Sequence, residues 1–591
     1  MTAEGSPLPA GEPVLVVGAG PVGLTAAHEL ARHGVRVRLV DAAPGPATTS
    51  RALATHARTL ETYDQMGVLD DVLPRGQRVE HFTLHQNGRR LIRFDTDYSE
   101  LPTRYPFTLM IDQVITEEAL RAAAARQGVE VEWGVRLTGF TDHGSGVRAE
   151  LEHADGRAET FEAGWLVGCD GGHSTVRKQL GLKLVGESSE TWLISDAVVH
   201  CDLPRDSIHW MRTPAGTVMM VPFPEPGKWR LLDTAEVSYD GDDAAVARRF
   251  ARKIRTGTGR EARVENPTWV SVFTIQQRMI PGMRKGRCLL AGDAAHVHSP
   301  ASGQGMNTGV QDAVNLSWKL ASVIHGTAGQ SLLDSYSDER VPVGAALLKS
   351  TKFATLLVQL RSRTAAAALR ALFTFVRSVP PLKSRIERKI MGGMSALDLG
   401  YGEGPPALGT AGEAGTGEGV PPVTDGRAGK DVTPVAGSAI PAGGRVSRVT
   451  AARAAESAGW RRLIEELRRP EWKLLTRPGG GPADRATAEQ ARRYEGVIRV
   501  LGIVPLPRSA DGPFGALPDP DGRLGADLGI APGGWLLIRP DGYAAASGGP
   551  ADDPERTLAA LGVRPADSGD TDEAPDTDAE EGSDHAVPAA G

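Results

Sequence analysis

Three short stretches carry residues whose types and spacing do recognisable chemistry. The first is Gly18-x-Gly20-x-x-Gly23, backed by Ala27 and followed by Asp41. Glycines at that spacing permit a tight strand-to-helix turn whose backbone approaches a pyrophosphate. The N–H groups and positive end of the helix beginning at Pro21 then hold its charge. An acid roughly twenty residues on is placed to accept from a ribose 2′-hydroxyl. The same carboxylate repels a 2′-phosphate, so Asp41 disfavours NADP in this pocket and leaves FAD or NAD. The second stretch runs Gly286-Arg287-Cys288-Leu289-Leu290-Ala291-Gly292-Asp293-Ala294-Ala295-His296, followed by Pro300 and by Gly303-Gln304-Gly305-Met306-Asn307. A strand ending in Gly292-Asp293 presents a carboxylate, and a Gly-rich turn before a helix leaves N–H groups and a positive dipole end for an anion. The third is Gly168-Cys169-Asp170-Gly171-Gly172-His173-Ser174-Thr175-Val176-Arg177.

The elements needed to position these stretches are legible. Residues 14–17 and 35–40 read as strands around a helix at 21–33, a βαβ opening. Helices are expected at 58–66 and 116–126, strand-rich chain at 78–93, and a strand at 165–168, which is the pattern of an α/β domain carrying an insertion. From about 191 to 273 short strands rich in Val, Trp, Met and Phe alternate with turns at Thr213-Pro214-Ala215-Gly216 and Pro224-Glu225-Pro226-Gly227. Helical character returns at 306–324 and continues to 388, with residues 353–376 read as an amphipathic core helix because Arg361, Arg363 and Arg370 interrupt the apolar run. Between 401 and 444 the composition falls to Gly, Pro, Ala, Thr and Val, as in a linker. Helices at 454–468 and 486–500 and a strand at 535–538 predict a further folded unit. The acidic chain after 567 reads as a disordered tail.

Taken in order, the three stretches resemble the class A flavoprotein monooxygenases, the single-component FAD-dependent hydroxylases of phenols and aromatic polyketides. The resemblance covers residues 13–388. It implies a Rossmann-like FAD-binding domain of the para-hydroxybenzoate hydroxylase kind in residues 1–180, with a substrate-domain insertion near 78–110. A sheet-rich substrate domain follows at 181–280, then the return of the FAD domain with its helices at 281–400. A linker at 401–445, a thioredoxin-like C-terminal domain at 446–565 and a disordered tail at 566–591 complete the chain. The C-terminal likeness rests on Gly533-Gly534-Trp535-Leu536-Leu537-Ile538-Arg539-Pro540-Asp541-Gly542. All three cysteines precede that unit, so it has no dithiol chemistry.

The resemblance also implies roles. Gly18, Gly20, Gly23 and Asp41 hold the FAD nucleotide, Asp293 the ribityl chain, and Gly303, Gly305, Met306 and Asn307 the flavin ring. Asp170 lies in a turn shared by the FAD pyrophosphate and a transient nicotinamide cofactor, NADPH or NADH, with Ser174 and Arg177 matching the same pattern. Arg51 reaches the flavin or its phosphates, Gln113 contacts FAD, and Pro300 lies beside the reactive face of the flavin. Arg58-Thr59-Leu60-Glu61 matches as well. Two features depart from the family: the long linker from Tyr401, and Met279 where a small residue usually follows the arginine.

The activity implied is hydroxylation of an aromatic substrate by a C4a-hydroperoxyflavin formed from reduced FAD and O2, inside an apolar pocket that keeps water out. Trp192, His209, Trp210, Met211, Met219, Met220, Phe223 and Trp229 are candidates for the pocket walls, with Gln276 and Arg278 near the return to the FAD domain. Alternating apolar residues of this kind are equally explained as sheet core. His209 and His200 are the imidazoles considered for a general base. Baeyer–Villiger insertion, epoxidation, inactivation of an aromatic antibiotic, or flavin binding without catalysis stay open on the same scaffold.

Bulk properties bound the remaining classes. A chain of 591 residues with 40% hydrophobic and 24% charged residues forms several globular domains rather than one core. The formal charge of -7, with basic residues scattered, gives no footprint for nucleic acid. Cys169, Cys201 and Cys288 lie far apart without a CxxC pair, which fits a reducing cytoplasm and no zinc site. His296 and His298 lack supporting carboxylates in sequence, and no metal is expected. No segment suits a bilayer, and a homodimer is left open.

Overall fold

Five strands in parallel register frame the first half of the chain. The computed structural model describes residues 12–95, 97–299, 303–359, 371–373, 375–376, 378–401, 440–479, 493–505, 515–550 and 552–565. Val14–Val17 is a run of buried apolar residues, so it is covered on both faces as a central parallel strand requires. It pairs on one side with Trp165–Gly168 and on the other with Val37–Asp41, each in parallel. Cys288–Leu290 extends the sheet beyond Trp165–Gly168, and Val131–Trp133 extends it beyond Val37–Asp41. A short antiparallel strand, Arg284–Lys285, completes six. Val17 lies opposite Gly168, and Gly168 opposite Leu290, so the three strands end level.

The helix Pro21–Arg32 follows the first strand, with Pro at its first turn where a missing N–H costs nothing. It packs on the long buried helix Gly305–Ile324 through small residues. A Cβ on Gly309 or on Gly292 would collide with Val22.

The substrate-side sheet has nine strands. In spatial order these are His296–Val297, Trp269–Met279, Val185–His200, Lys228–Asp233, Gly216–Pro222, Ser207–Thr213, His81–Gln86 and Arg89–Phe94, with Arg263–Val264 off the path. The insertion near 78–110 therefore supplies two edge strands, and the cofactor-side motif supplies His296–Val297. One face of the sheet is covered by the helix Asp243–Thr258, anchored by Lys253 Nζ on both oxygens of buried Asp233 at 2.8 and 2.6 Å.

The C-terminal unit is a five-stranded sheet in the order Gly515–Pro518, Ile498–Val504, Trp472–Thr476, Trp535–Ile538, Ala544–Gly548. Two expectations change here. The helix expected at 486–500 gives way at its C-terminal end to the strand Ile498–Val504, parallel to Trp472–Thr476. Its Ile and Val residues are β-branched and pack better on a pleated surface than on a helix. The helix expected at 454–468 is two helices, Ala451–Glu456 and Ala458–Leu467, because Ser457 ends the first and caps the second through Trp460 N–H. Most of the expected linker, the expected tail and the middle of the helix expected at 353–376 lie outside the described residues.

Both ends of the expected linker belong to the core. Tyr401 is 7% exposed and Arg445 1%. Arg445 donates to both oxygens of Glu61 at 2.7 and 2.9 Å, to Ser447 O at 2.8 Å and to Pro102 O at 2.7 Å. Arg58, Tyr543 and Asp541 extend this contact, Arg58 donating to Tyr543 Oη at 3.1 Å and to Asp541 O at 3.2 Å. Trp318 of the long helix donates to Asp541 Oδ2 at 3.1 Å. Removing one partner of a buried, well-bonded pair strands the other charge at a cost of about 3–5 kcal/mol. Arg445→Ala is therefore expected to lower the denaturant midpoint followed by tryptophan fluorescence, whereas the paired change Arg445→Met with Glu61→Leu loses far less. Equal losses in the two variants would refute the charge argument.

Candidate active site

Because the three strands end level, the three motif loops leave one edge of the sheet side by side, the carboxyl edge where open α/β sheets bind ligands. In the first loop Gly18 has φ +102°, and a Cβ there would strike the Cys169 carbonyl. A Cβ on Gly23 would land on the Gly18 carbonyl oxygen. Gly20 differs, with no atom within 4 Å of an added Cβ. It is the N-cap of the first helix and opens onto the cleft, a cradle that a side chain would fill. Asp41 accepts from Ala19 N–H and Ala43 N–H, both at 2.7 Å, and so pins this turn to the end of the second strand.

The other two loops are tied to each other. Asp170 Oδ2 accepts from Thr175 N–H at 2.6 Å and Val176 N–H at 3.2 Å, while its Oδ1 is buried with no partner. Ser174 caps the same helix through Arg177 N–H at 2.9 Å. The Arg177 guanidinium donates to Gly172 O at 2.8 Å and to Ala294 O at 3.1 Å, linking the third motif to the second.

Asp293 projects into the cleft and has no described donor. Desolvation by the surrounding protein raises its carboxyl above the ordinary range, offset in part by His296 and Arg51. The ring of His298 also lines the cleft. Its Nε2 is 2.7 Å from His296 Nδ1, and His296 Nε2 is 2.6 Å from Asp312 Oδ2. Asp312 is held by Arg340 Nε at 2.7 Å and lies at about 2, because Arg340 and His296 outweigh its burial. Burial holds the His298 imidazole well below its ordinary value, hence neutral.

On the same side of the cleft the helix Gly305–Ile324 presents its N-terminus, and Gly303, Gly305 and Met306 line the wall. Asn307 lies just behind. Its Oδ1 accepts from His56 N–H at 2.9 Å, and its Nδ2 donates to Ala54 O and Gly303 O, each at 2.8 Å. Gln113 accepts from Ala52 N–H at 2.8 Å, fixing the loop that carries Arg51. No described acceptor pairs with the Arg51 guanidinium, which faces the cleft. Pro300 lies outside the described residues.

The cleft has a volume of about 430 Å³, within the ~300–1,000 Å³ of small-molecule sites. Its far wall is the uncovered face of the nine-stranded sheet, contributed by Phe82, Ile194, Ile208, Trp210, Met219, Val221 and Leu232. Strand alternation sorts the expected wall residues. Trp210 and Met219 face the cleft. His209 does not, which corrects the expectation for it. One residue out of phase with Trp210, it points to the other face, where its ring lies 3.2 Å from His85 Nε2 and its Nε2 meets Pro204 O at 2.8 Å. Met211, Met220 and Trp229 share that face and pack on Phe250 and Ile254. Trp192 and Phe223 are fully buried behind the cleft wall, and Gln276 is exposed outside it. His200 pairs with Glu265 on the surface.

One residue escaped the sequence reading. Arg230, 4% exposed, lines the cleft from the middle of the sheet. It forks onto Asp196 with two bonds of 2.8 Å and donates to Ser50 O at 2.9 Å and Arg51 O at 2.7 Å. The available signal was a charged residue at an inward position of an apolar strand, Trp229-Arg230-Leu231-Leu232. Among the described residues no group of three or more His, Cys, Asp or Glu is placed to hold a metal ion, and no helix is long and apolar enough to cross a membrane.

A glycine cradle at a helix N-terminus, a second N-terminus packed beside it and a nearby carboxylate with no described donor fit a large anionic, hydroxylated cofactor. Residues 12–351 match the model of the FAD-binding domain family, and the chain belongs to that family. It is an FAD-dependent monooxygenase. The chain is 52% identical over 538 residues to a 6-methylpretetramide 4-monooxygenase of Streptomyces rimosus, covering 91% of each chain. In structure it is similar to the anhydrotetracycline hydroxylase of Streptomyces rimosus, with TM-score 0.67 and 26% identity over 94% of this chain and 99% of that one. It is also similar to the flavin-dependent monooxygenase PieE in complex with FAD and substrate, with TM-score 0.67 and 25% identity over 94% of this chain and 100% of that one.

Among the described residues Asp293 is a cleft carboxylate with no donor, and Asp293→Ala removes it. It is expected to yield protein that loses FAD during purification, read as the flavin-to-protein absorbance ratio, with affinity reduced roughly tenfold or more as for a lost charge-assisted bond. Full flavin occupancy in this variant would dismiss the assignment.

Proposed function

We propose that this chain hydroxylates a phenolic, fused-ring polyketide of the 6-methylpretetramide kind, using FAD, NAD(P)H and O2. The observation that carries the reading is that one continuous cleft is lined on one side by Gly20, Arg51, Asp293 and Gly305 and on the other by an apolar sheet face. A flat polycycle suits that face, because Trp210, Phe82, Met219 and Leu232 offer broad apolar contact without buried hydrogen-bond demands. The substrate class is supported by the 52% identity to a 6-methylpretetramide 4-monooxygenase across nearly the whole chain.

In this reading Gly18, Gly20 and Gly23 bring backbone N–H groups to the FAD pyrophosphate, Asp41 accepts from the adenosine ribose and Asp293 from the ribityl chain. Gly303, Gly305, Met306 and Asn307 set the positive end of the long helix toward the pyrimidine edge of the ring, where negative charge is stabilised. Gln113 holds the loop that aims Arg51, and Asp170 serves the pyrophosphate side. Bound FAD, reduced by NAD(P)H, supplies the activation of dioxygen. The apolar wall keeps water from the reacting atoms. Residues 446–565 form a thioredoxin-like unit in this reading, a proposal supported by the parallel pair Trp472–Thr476 and Ile498–Val504 followed by the antiparallel pair Trp535–Ile538 and Ala544–Gly548.

The test is turnover of FAD-loaded full chain with NADPH, isotopically labelled dioxygen and 6-methylpretetramide. Substrate-stimulated NADPH consumption with one labelled atom in a new ring hydroxyl is expected. Label in a lactone would instead assign ring-expanding oxygen insertion, and consumption that the polycycle does not accelerate would remove the substrate class.

A further inference from the structure

The two halves of the cleft belong to different sheets, and a single side chain joins them where they meet. Arg230 is rooted in the middle of the substrate-side strand Lys228–Asp233. Its pairing with Asp196 on the neighbouring strand uses Nε and one terminal nitrogen, so the plane of the guanidinium is fixed by two parallel bonds. The remaining donors leave the sheet and reach the carbonyls of Ser50 and Arg51. Phe223 and Trp269 flank the group at 5.2 and 5.5 Å from their ring centroids. Arg230 and Asp196 are 4% and 6% exposed, so the fork is not averaged by solvent.

The loop that receives it has further polar anchors close by, the Gln113 side chain on Ala52 N–H and Ser50 Oγ, which accepts from Val114 N–H at 3.3 Å. Arg51 thus has its backbone clasped from the substrate side at its own carbonyl, and from the cofactor side one residue later. Its guanidinium extends into the cleft without a described protein acceptor. A long flexible side chain without a described acceptor is aimed by its backbone, and here that backbone is held by Arg230 on one side and Gln113 on the other.

We propose that Arg230 is a positioning residue for the cofactor reaction: by fastening the carbonyls of Ser50 and Arg51 to the substrate-side sheet, it holds the Arg51 cation against the cofactor half of the cleft. The inference rests on the cofactor half of the proposed function and not on the substrate class. A lysine cannot replace Arg230, since one ammonium cannot satisfy a carboxylate fork and two diverging carbonyls in this plane.

The experiment is a double-mutant cycle on the full chain with FAD and NADPH alone, without polycycle, so that a wrong substrate class leaves it unaffected. FAD affinity by flavin fluorescence and the rate of flavin reduction are measured for Arg51→Met, Arg230→Met and the double variant. Each single change is expected to weaken FAD binding roughly tenfold, the scale of one charge-assisted bond. The double variant is expected to be no weaker than Arg51→Met, because Arg230 acts through Arg51. Arg230→Lys should resemble Arg230→Met. Additive losses would mean that Arg230 contacts the cofactor or acts independently, and would overturn the proposal. So would wild-type FAD binding and reduction in Arg51→Met or in Arg230→Met. Should Arg230→Met not fold, Arg230→Lys enters the cycle in its place, with the same outcomes deciding.

Discussion

The constraint on which the site depends is the common end point of three parallel strands. Val17, Gly168 and Leu290 stand in one row across the sheet, so each following loop starts from the same edge. Register in a sheet buried on both faces is fixed by hydrogen bonding and by side-chain packing above and below. A slip of one residue would carry one loop about 3.3 Å along its strand and reverse its side chains. The loops could then no longer be tied as they are, Gly18 against the Cys169 carbonyl and Arg177 against Ala294 O. The packing of Val22 against Gly292 and Gly309 adds the long helix to the same arrangement, which is why its N-terminus arrives beside the glycine turn.

The substrate-side sheet is fastened to this frame and not merely placed beside it. His296–Val297, directly after the Gly-Asp motif, pairs with Trp269–Met279, so the backbone of the cofactor motif is also an edge strand of the other sheet. The buried chain His298, His296, Asp312, Arg340 runs from the cleft wall into the core, ending on the Tyr401 hydroxyl. In this chain charge is compensated at each step, since Asp312 is matched by Arg340 and by the imidazole that donates to it.

The sequence was most informative where function requires a local backbone shape. Glycines at 18, 20 and 23, the Asp-Gly pair at 170–171 and the Gly-Asp pair at 292–293 follow strand ends, and their spacing survives in one dimension even where the atom that excludes a Cβ, Cys169 O for Gly18 or Val22 for Gly292, is distant in sequence. Side-chain direction on the second sheet was less legible. His209 reads as chemistry because an imidazole interrupts apolar residues, yet only the register against Met220 and His81–Gln86 decides which face it takes. Arg230 was missed for the complementary reason: its partners Ser50, Arg51 and Asp196 are 180, 179 and 34 residues away. The strand Ile498–Val504 was taken for helix because its neighbouring strands, which supply the pairing, are themselves distant in sequence.

The long helix Gly305–Ile324 has a second end. While its first turn faces the cleft, Trp318 near its close stacks edge-on with Trp472 and donates to Asp541, and Lys319 meets Glu339, which Arg539 also grips. The C-terminal unit is consequently not an interchangeable module. A chimaera that imported this unit from a relative would have to bring Arg539, Asp541 and Tyr543 together with their counterparts Trp318, Glu339 and Arg58, or leave the rod that points at the cleft unmoored at its far end.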